Sequence, residues 1–335
     1  MKSIKKHSII LMFITVLILF FVLKDNFLDI MNEILKMNIW LLLLAVIVIF
    51  LYWSFKALST YLIARKYSKT IKLSTLIKQT IITQFFNGIT PFSTGGQPMQ
   101  VYMLTKNKIS LANSTNIILQ DFIVYQIALV LFGLFAIIMN ANFNFFSNST
   151  YLKKFVILGF MVNSLICIGV FILCFSKKVS RYLLKVGVNF GCKFKIIKNK
   201  DKVLEKGKEK IKEFQDSAKI YIKSKKLFVT GILVNILALA LIYSIPLVLI
   251  KGMNISANIG LLTVIVSSAY VLLIGSFVPI PGGSGGIEFA FLQFFGNFLF
   301  NAELSALLLV WRFITYYLGI IIGGLLFNFY KVGDQ

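Results

Sequence analysis

The chain has 335 residues, 58% hydrophobic and 14% charged, with a mean hydropathy of +0.85; a soluble domain is about a quarter charged, so a soluble enzyme or binding module is excluded in favour of an integral membrane protein. A net charge of +23 suits nucleic acid, a membrane surface or cytoplasmic loops, and the placement of the basic residues decides among them. Cys167, Cys174 and Cys192 lack metal-ligand spacing and His7 is the one histidine, so no metal, cofactor or triad-type catalytic centre is expected.

Lys2, Lys5 and Lys6 precede an apolar stretch from Ile9 to Leu23. Lys24, Asp25 and Asn26 stand where a signal peptide would carry small cleavage-site residues, so the stretch reads as an uncleaved first span. Ile39 to about Ile63 is a second span with Trp40, Tyr52 and Trp53 as interface anchors. Leu73 to Phe86 is shorter and breaks at Asn87 to Pro98, before a partly apolar piece from Val101 to Leu104. Thr115 to Met139 and Phe155 to Phe175 are further spans.

Residues 176–226 are the sizeable polar part, with 17 basic and five acidic residues. Leu204, Gly207, Ile211, Phe214, Ala218 and Tyr221 recur three and four apart, which predicts a cytoplasmic amphipathic helix lying on the inner leaflet. Leu227 to Ile250 spans again. Ile259 to Phe277 then breaks at Ser276 to Phe289, before Phe289 to Phe300 and a last span from Ser305 to Phe327.

The two breaks share a skeleton. The first reads Asn-Gly-Ile-Thr-Pro-Phe-Ser-Thr-Gly-Gly-Gln-Pro; the second is Ser-Phe-Val-Pro-Ile-Pro-Gly-Gly-Ser-Gly-Gly-Ile-Glu-Phe. Pro91, Gly95 and Gly96 match Pro281, Gly285 and Gly286 at a constant separation of 190 residues. Unsatisfied backbone costs several kcal/mol per group in hydrocarbon, so these breaks must be buried in protein or line a wet cavity. With the N-terminus inside, 27 of the 35 basic residues fall in inner segments and five in outer ones, leaving Lys56, Lys78 and Arg312 within apolar runs. Nucleic acid is then not needed. The count closes if both breaks are re-entrant. The expectation is an all-α polytopic membrane protein of six full spans plus two re-entrant hairpins, about eight membrane segments, in one membrane domain over 1–335 with inverted repeats at about 39–140 and 229–330.

Charges at membrane depth are expensive and functional by default. Asp121 and Arg312 fall at nearly equivalent repeat positions and are expected to approach each other. Glu288 and Gln97 lie at the ends of the glycine-rich breaks, where half-helix N-termini with exposed amides suit a phosphate-bearing headgroup. The predicted headgroup path comprises Pro91, Gly95, Gly96, Gln97, Pro281, Gly282, Gly283, Gly285, Gly286 and Glu288. Capping of the second half-helix is the structural alternative for Glu288.

At Ile89 to Pro98 and Val278 to Glu288 the chain resembles the transmembrane domain of lysylphosphatidylglycerol synthases, the multiple peptide resistance factors, and their stand-alone flippase-like homologues. Many relatives carry a Gly-Glu pair with a nearby Arg where this chain has Gly96-Gln97. The resemblance implies a multi-pass protein of the bacterial inner membrane with both termini cytoplasmic. It would move an anionic or aminoacylated phospholipid between leaflets and so support resistance to cationic antimicrobial peptides. It also implies an alternative, the membrane component of a phosphatidylglycerol lysyltransferase working with a separate synthase, or the transport of another lipid. The synthase domain of bifunctional members is expected to be absent, and with it transferase activity.

Overall fold

A computed structural model describes residues 27–146, 150–193, 199–253 and 259–330; the expected first span, Ile9 to Leu23, lies outside them. The described residues are helical, with no strand among them. A short α1 (Phe27–Leu35) leads into α2 (Ile39–Ala64), which Asn38 caps by accepting the Trp40 N–H at 2.9 Å. Then come α3 (Leu73–Gly88), a three-residue turn at Pro91–Ser93, and α4 (Gly96–Lys106). Helix α5 (Leu111–Phe143) is capped by Ser110 and ends at Asn144 in the left-handed region; its 33 residues span roughly 50 Å at 1.5 Å each.

After α6 (Thr150–Phe175), α7 (Lys177–Lys193) and α8 (Lys200–Lys223) form a basic hairpin. Helix α9 (Lys225–Gly252) is followed by α10 (Leu261–Gly275), a turn at Pro281–Gly283, α11 (Gly286–Phe295), and α12 (Asn301–Asn328), which contains a π-helical turn at Phe313–Tyr317. Helices α2, α5, α6, α9 and α12 are the five long and apolar enough to cross a membrane. They match five of the six expected spans, with α5 and α6 extending several residues beyond the apolar runs.

The second succession of elements repeats the first. Turn, half-helix and long helix begin at Pro91, Gly96 and Leu111, and again at Pro281, Gly286 and Asn301, each 190 residues on. The backbone agrees in detail: Phe92 and Ser93 have φ of 52° and 54°, and Gly282 and Gly283, at the matching positions, 65° and 62°. Such angles favour glycine, which the second turn supplies and the first does not.

Helices α2 and α9 make the main joint between the halves, and the two turns touch each other. Small residues allow the half-helices to pack closely, as at membrane helix interfaces generally. On α12, a Cβ at Gly323 would sit 2.5 Å from the Ile81 carbonyl oxygen of α3. On α6, a Cβ at Gly159 would run into the Leu273 carbonyl of α10. Aromatic rings fill the space around α11, where Phe291 stacks on Phe295 and on Trp311 with centroids 4.2 and 4.6 Å apart.

The amphipathic stripe of α8 does not lie on the leaflet as expected. Gly207 abuts Leu184 of α7, Ala218 packs with Ile123 and Cys174, and Tyr221 is buried against the Phe228 ring. Burial also raises the Tyr221 phenol pKa, so this group stays neutral. A helix long enough to return to the bundle buries its apolar face there, because intramolecular contact is already in place. The uncovered stripe is on α7: Val179, Tyr182, Leu183, Val186 and Phe190 are exposed at helical spacing, while Ser180 and Val188 on another face are buried.

Candidate functional site

Each break is held by its own polar side chains. In the first, Asn87 at the end of α3 accepts the Gly96 N–H at 3.0 Å. Thr90 donates its hydroxyl to the Phe86 carbonyl at 2.7 Å and accepts the Gly95 N–H at 2.9 Å. The leading amides of α4 are thus capped by neutral groups, and Gln97, Pro91 and Phe92 face outward. In the second break a charge does this work. Glu288 Oε2 accepts the Gly285 N–H at 2.7 Å, capping α11.

The other Glu288 oxygen meets Arg312. Oε1 accepts from Arg312 Nε at 2.6 Å and lies 2.6 Å from its Nη2, while Nη2 also donates to the Gly282 carbonyl at 3.0 Å. Both residues are buried, 7% and 5% exposed. The guanidinium also lies over the Tyr316 ring, 4.8 Å from its centroid. Tyr316 in turn donates its hydroxyl to the Gly88 carbonyl at 2.8 Å, and a Cβ on Gly282 would strike its ring. Arg312 and Tyr316 flank the start of the π turn, a distortion that recurs at functional sites. One connected set of contacts therefore ties α12 to the second break and, through Tyr316, to the end of α3 beside the first.

The expected Asp121–Arg312 pair does not form, because each group has nearer partners. Asp121 lies on α5 among residues of α2. Ser59 Oγ donates to its Oδ1 at 2.5 Å and Thr60 Oγ1 to its Oδ2 at 2.9 Å. Ser59 also accepts from Asn235 Nδ2 at 2.8 Å, and Asn235 Oδ1 accepts from Lys56 Nζ at 2.9 Å. The repeat offset placed Asp121 and Arg312 at neighbouring positions of related helices, which puts them in related halves and not in contact. Glu288 serves both as half-helix cap and as counter-ion. The headgroup-path residues fall into two groups brought together by the touching turns, with Gln97 and Gly285 exposed and Glu288 enclosed.

Lys56, Ser59, Thr60, Asn235 and Tyr316 were not singled out from the sequence. Lys56 was the visible signal, a lysine inside an apolar run. The hydroxyls and the amide look like ordinary small polar residues until the helices are placed.

Five long apolar helices and two broken ones with buried charges define a polytopic helical membrane protein. The chain belongs to the family described as the lysylphosphatidylglycerol synthase TM region, whose profile matches residues 8–323. It is also similar to a UPF0104 membrane protein of Archaeoglobus fulgidus, 22% identical over 326 residues, covering 89% of each chain.

Proposed function

We propose that the protein is a lipid flippase that carries the headgroup of an anionic or aminoacylated phospholipid across the membrane between the two broken helices. The observation that carries this reading is the meeting of two backbone breaks, related residue by residue, against a buried ion pair. A flippase must shelter a polar headgroup while the acyl tails stay in lipid. Paired re-entrant turns supply backbone donors and acceptors at the depth where water is scarce. In this reading the elements of about 39–140 and 229–330 are an inverted repeat, and the α2–α9 joint is where the halves rock. Pro91, Gly95, Gly96 and Gln97 edge one side of the path, and Pro281, Gly282, Gly283, Gly285, Gly286 and Glu288 the other. The excess of basic residues in α7–α8 orients that hairpin to the cytoplasm, with both termini on the same side of a bacterial inner membrane.

Reconstitution into proteoliposomes with fluorescent phosphatidylglycerol or its lysyl form tests the reading. Wild-type protein is expected to expose inner-leaflet headgroups to an external quencher. Arg312→Lys, which keeps a charge but loses the planar fork that reaches both Glu288 and Gly282, is expected to slow this at least about tenfold, one charge-assisted hydrogen bond's worth. No movement of any lipid by wild type would instead favour a role in holding a separate synthase through the basic hairpin.

The exposed stripe of α7 yields another expectation. Helix α7 begins two residues after α6 ends, carries Lys177, Lys178, Arg181 and Lys185, and lies along the inner leaflet with its stripe in the acyl boundary. A tryptophan at Tyr182 is expected to be quenched by lipids brominated near the headgroup end of their chains. A tryptophan at Arg181, on the basic face, is expected to be far less affected. Equal quenching at both positions would contradict this placement.

A further inference from the structure

Lys56 and Asp121 are opposite charges joined through neutral groups and not directly. Ammonium, Asn235 amide, Ser59 hydroxyl and carboxylate form one hydrogen-bonded chain of 2.9, 2.8 and 2.5 Å across α2, α9 and α5. The Lys56 ammonium also lies 3.9 Å from the centroid of the Tyr125 ring. The two buried acid–base sets thus differ in kind. Arg312 cannot lose its proton and grips Glu288 directly, which makes that pair fixed. Lys56 and Asp121 both titrate and are held apart, so either can change charge without a partner collapsing onto it.

We propose that Asp121 is a proton-binding site that couples the movement of the two halves to proton flow, taking one proton from water on one side of the membrane and releasing it on the other. This rests on the flippase reading and names its energy source.

The physical consequence of protonation follows from the geometry. As a carboxylate, Asp121 accepts both the Ser59 and Thr60 hydroxyls. As an acid it gains a donor, so one of the two hydroxyls must turn away or reverse. Lys56 is then a cation without its balancing charge in low dielectric, which is unfavourable. Ser59 and Asn235 connect α2 to α9, the helices of the main joint between the halves. The charge on Asp121 therefore biases the contact that alternating access must remake.

The other titratable groups around Asp121 do not compete for this role. Tyr125 lies one turn further along α5, and Tyr221 of α8 is buried and neutral. From α6, Cys174 packs with Ile123 in an apolar cluster, and Tyr270 of α10 sits against Phe146 beyond the far end of α5. On α4, Tyr102 is exposed, with the Lys106 ammonium 5.6 Å from its ring centroid.

The test uses the full chain in proteoliposomes and in detergent. With an imposed pH gradient, the steady-state ratio of labelled phospholipid between leaflets is expected to change about tenfold per pH unit for one proton per lipid. Asp121→Asn is expected to abolish the gradient dependence, and Asp121→Glu to retain it. Infrared difference spectra between acidic and alkaline samples report the site without any lipid assay. A protonated-carboxyl band present in wild type and missing in folded Asp121→Asn supports the proposal. Lipid movement indifferent to the gradient overturns it while leaving the flippase reading intact. Absence of the band from wild type also overturns it, even if no lipid moves in any preparation.

Discussion

Replacing Arg312 with glutamine is expected to destabilise the protein by about 3–5 kcal/mol, among the largest effects of any single substitution. The guanidinium contacts Glu288 Oε1 through both Nε and Nη2 and also satisfies the Gly282 carbonyl. Removing it leaves a carboxylate buried beside an apolar cluster that includes Phe291, Phe294 and Trp311, with the Gly285 amide as its remaining hydrogen-bond partner. Breaking one side of a buried pair exposes the desolvation penalty that the pair hides. The double variant Glu288→Leu with Arg312→Met is expected to regain much of the loss, because no orphan charge remains. It should not regain all of it, since the Gly285 N–H and Gly282 C=O lose their partners. Unfolding midpoints in detergent for the two singles and the double give the comparison. A loss below about 1 kcal/mol for Arg312→Gln would mean that water reaches the pair and that it is not part of a sealed site.

Gly282→Val is the second large effect, expected at about 3 kcal/mol or more. Two causes add. The backbone at φ 65° is in the left-handed region, which costs an L-residue roughly 1–2 kcal/mol, and the added side chain meets the Tyr316 ring. The causes can be separated. Combining Gly282→Val with Tyr316→Ala should remove the ring contact and leave the backbone part. At the matching position of the first turn, Phe92 already occupies φ 52° with its side chain exposed. Phe92→Gly is therefore expected to change stability by less than about 1 kcal/mol, strain relief being offset by the extra freedom of glycine in the unfolded chain. A Gly282→Val loss no larger than that of a surface substitution would show that Tyr316 does not bridge the breaks as described.

Much of the architecture was legible because hydrophobic length and proline–glycine punctuation are local properties. The apolar runs gave the long helices, and the separation of 190 residues placed the two turns in register. Helix ends were less legible. Helix α5 runs on from Met139 to Phe143, through Asn140 and Asn142, because helical backbone persists past the apolar core. The stripe on α8 had the right periodicity but the wrong neighbour, since periodicity does not say whether lipid or protein covers a face. The site was legible in part. The motifs, Glu288, Asp121 and Arg312 stood out as polar groups in apolar surroundings. Their pairing did not, because it depends on which helices cross and at what height. Glu288 and Arg312 meet because α11 and α12 fold against each other. Asp121 instead finds hydroxyls on α2 that carry no charge to advertise them.

The most direct measurement is lipid translocation by a protein whose two turns can be reversibly joined. Cysteines at Phe92 and Ile280, both exposed, in a background lacking the three native cysteines would be linked by a thiol-cleavable bifunctional reagent in proteoliposomes. Headgroup movement is expected to stop on linking and return on cleavage, since the path lies between the turns. Movement at the same rate with the turns linked would contradict a path between them.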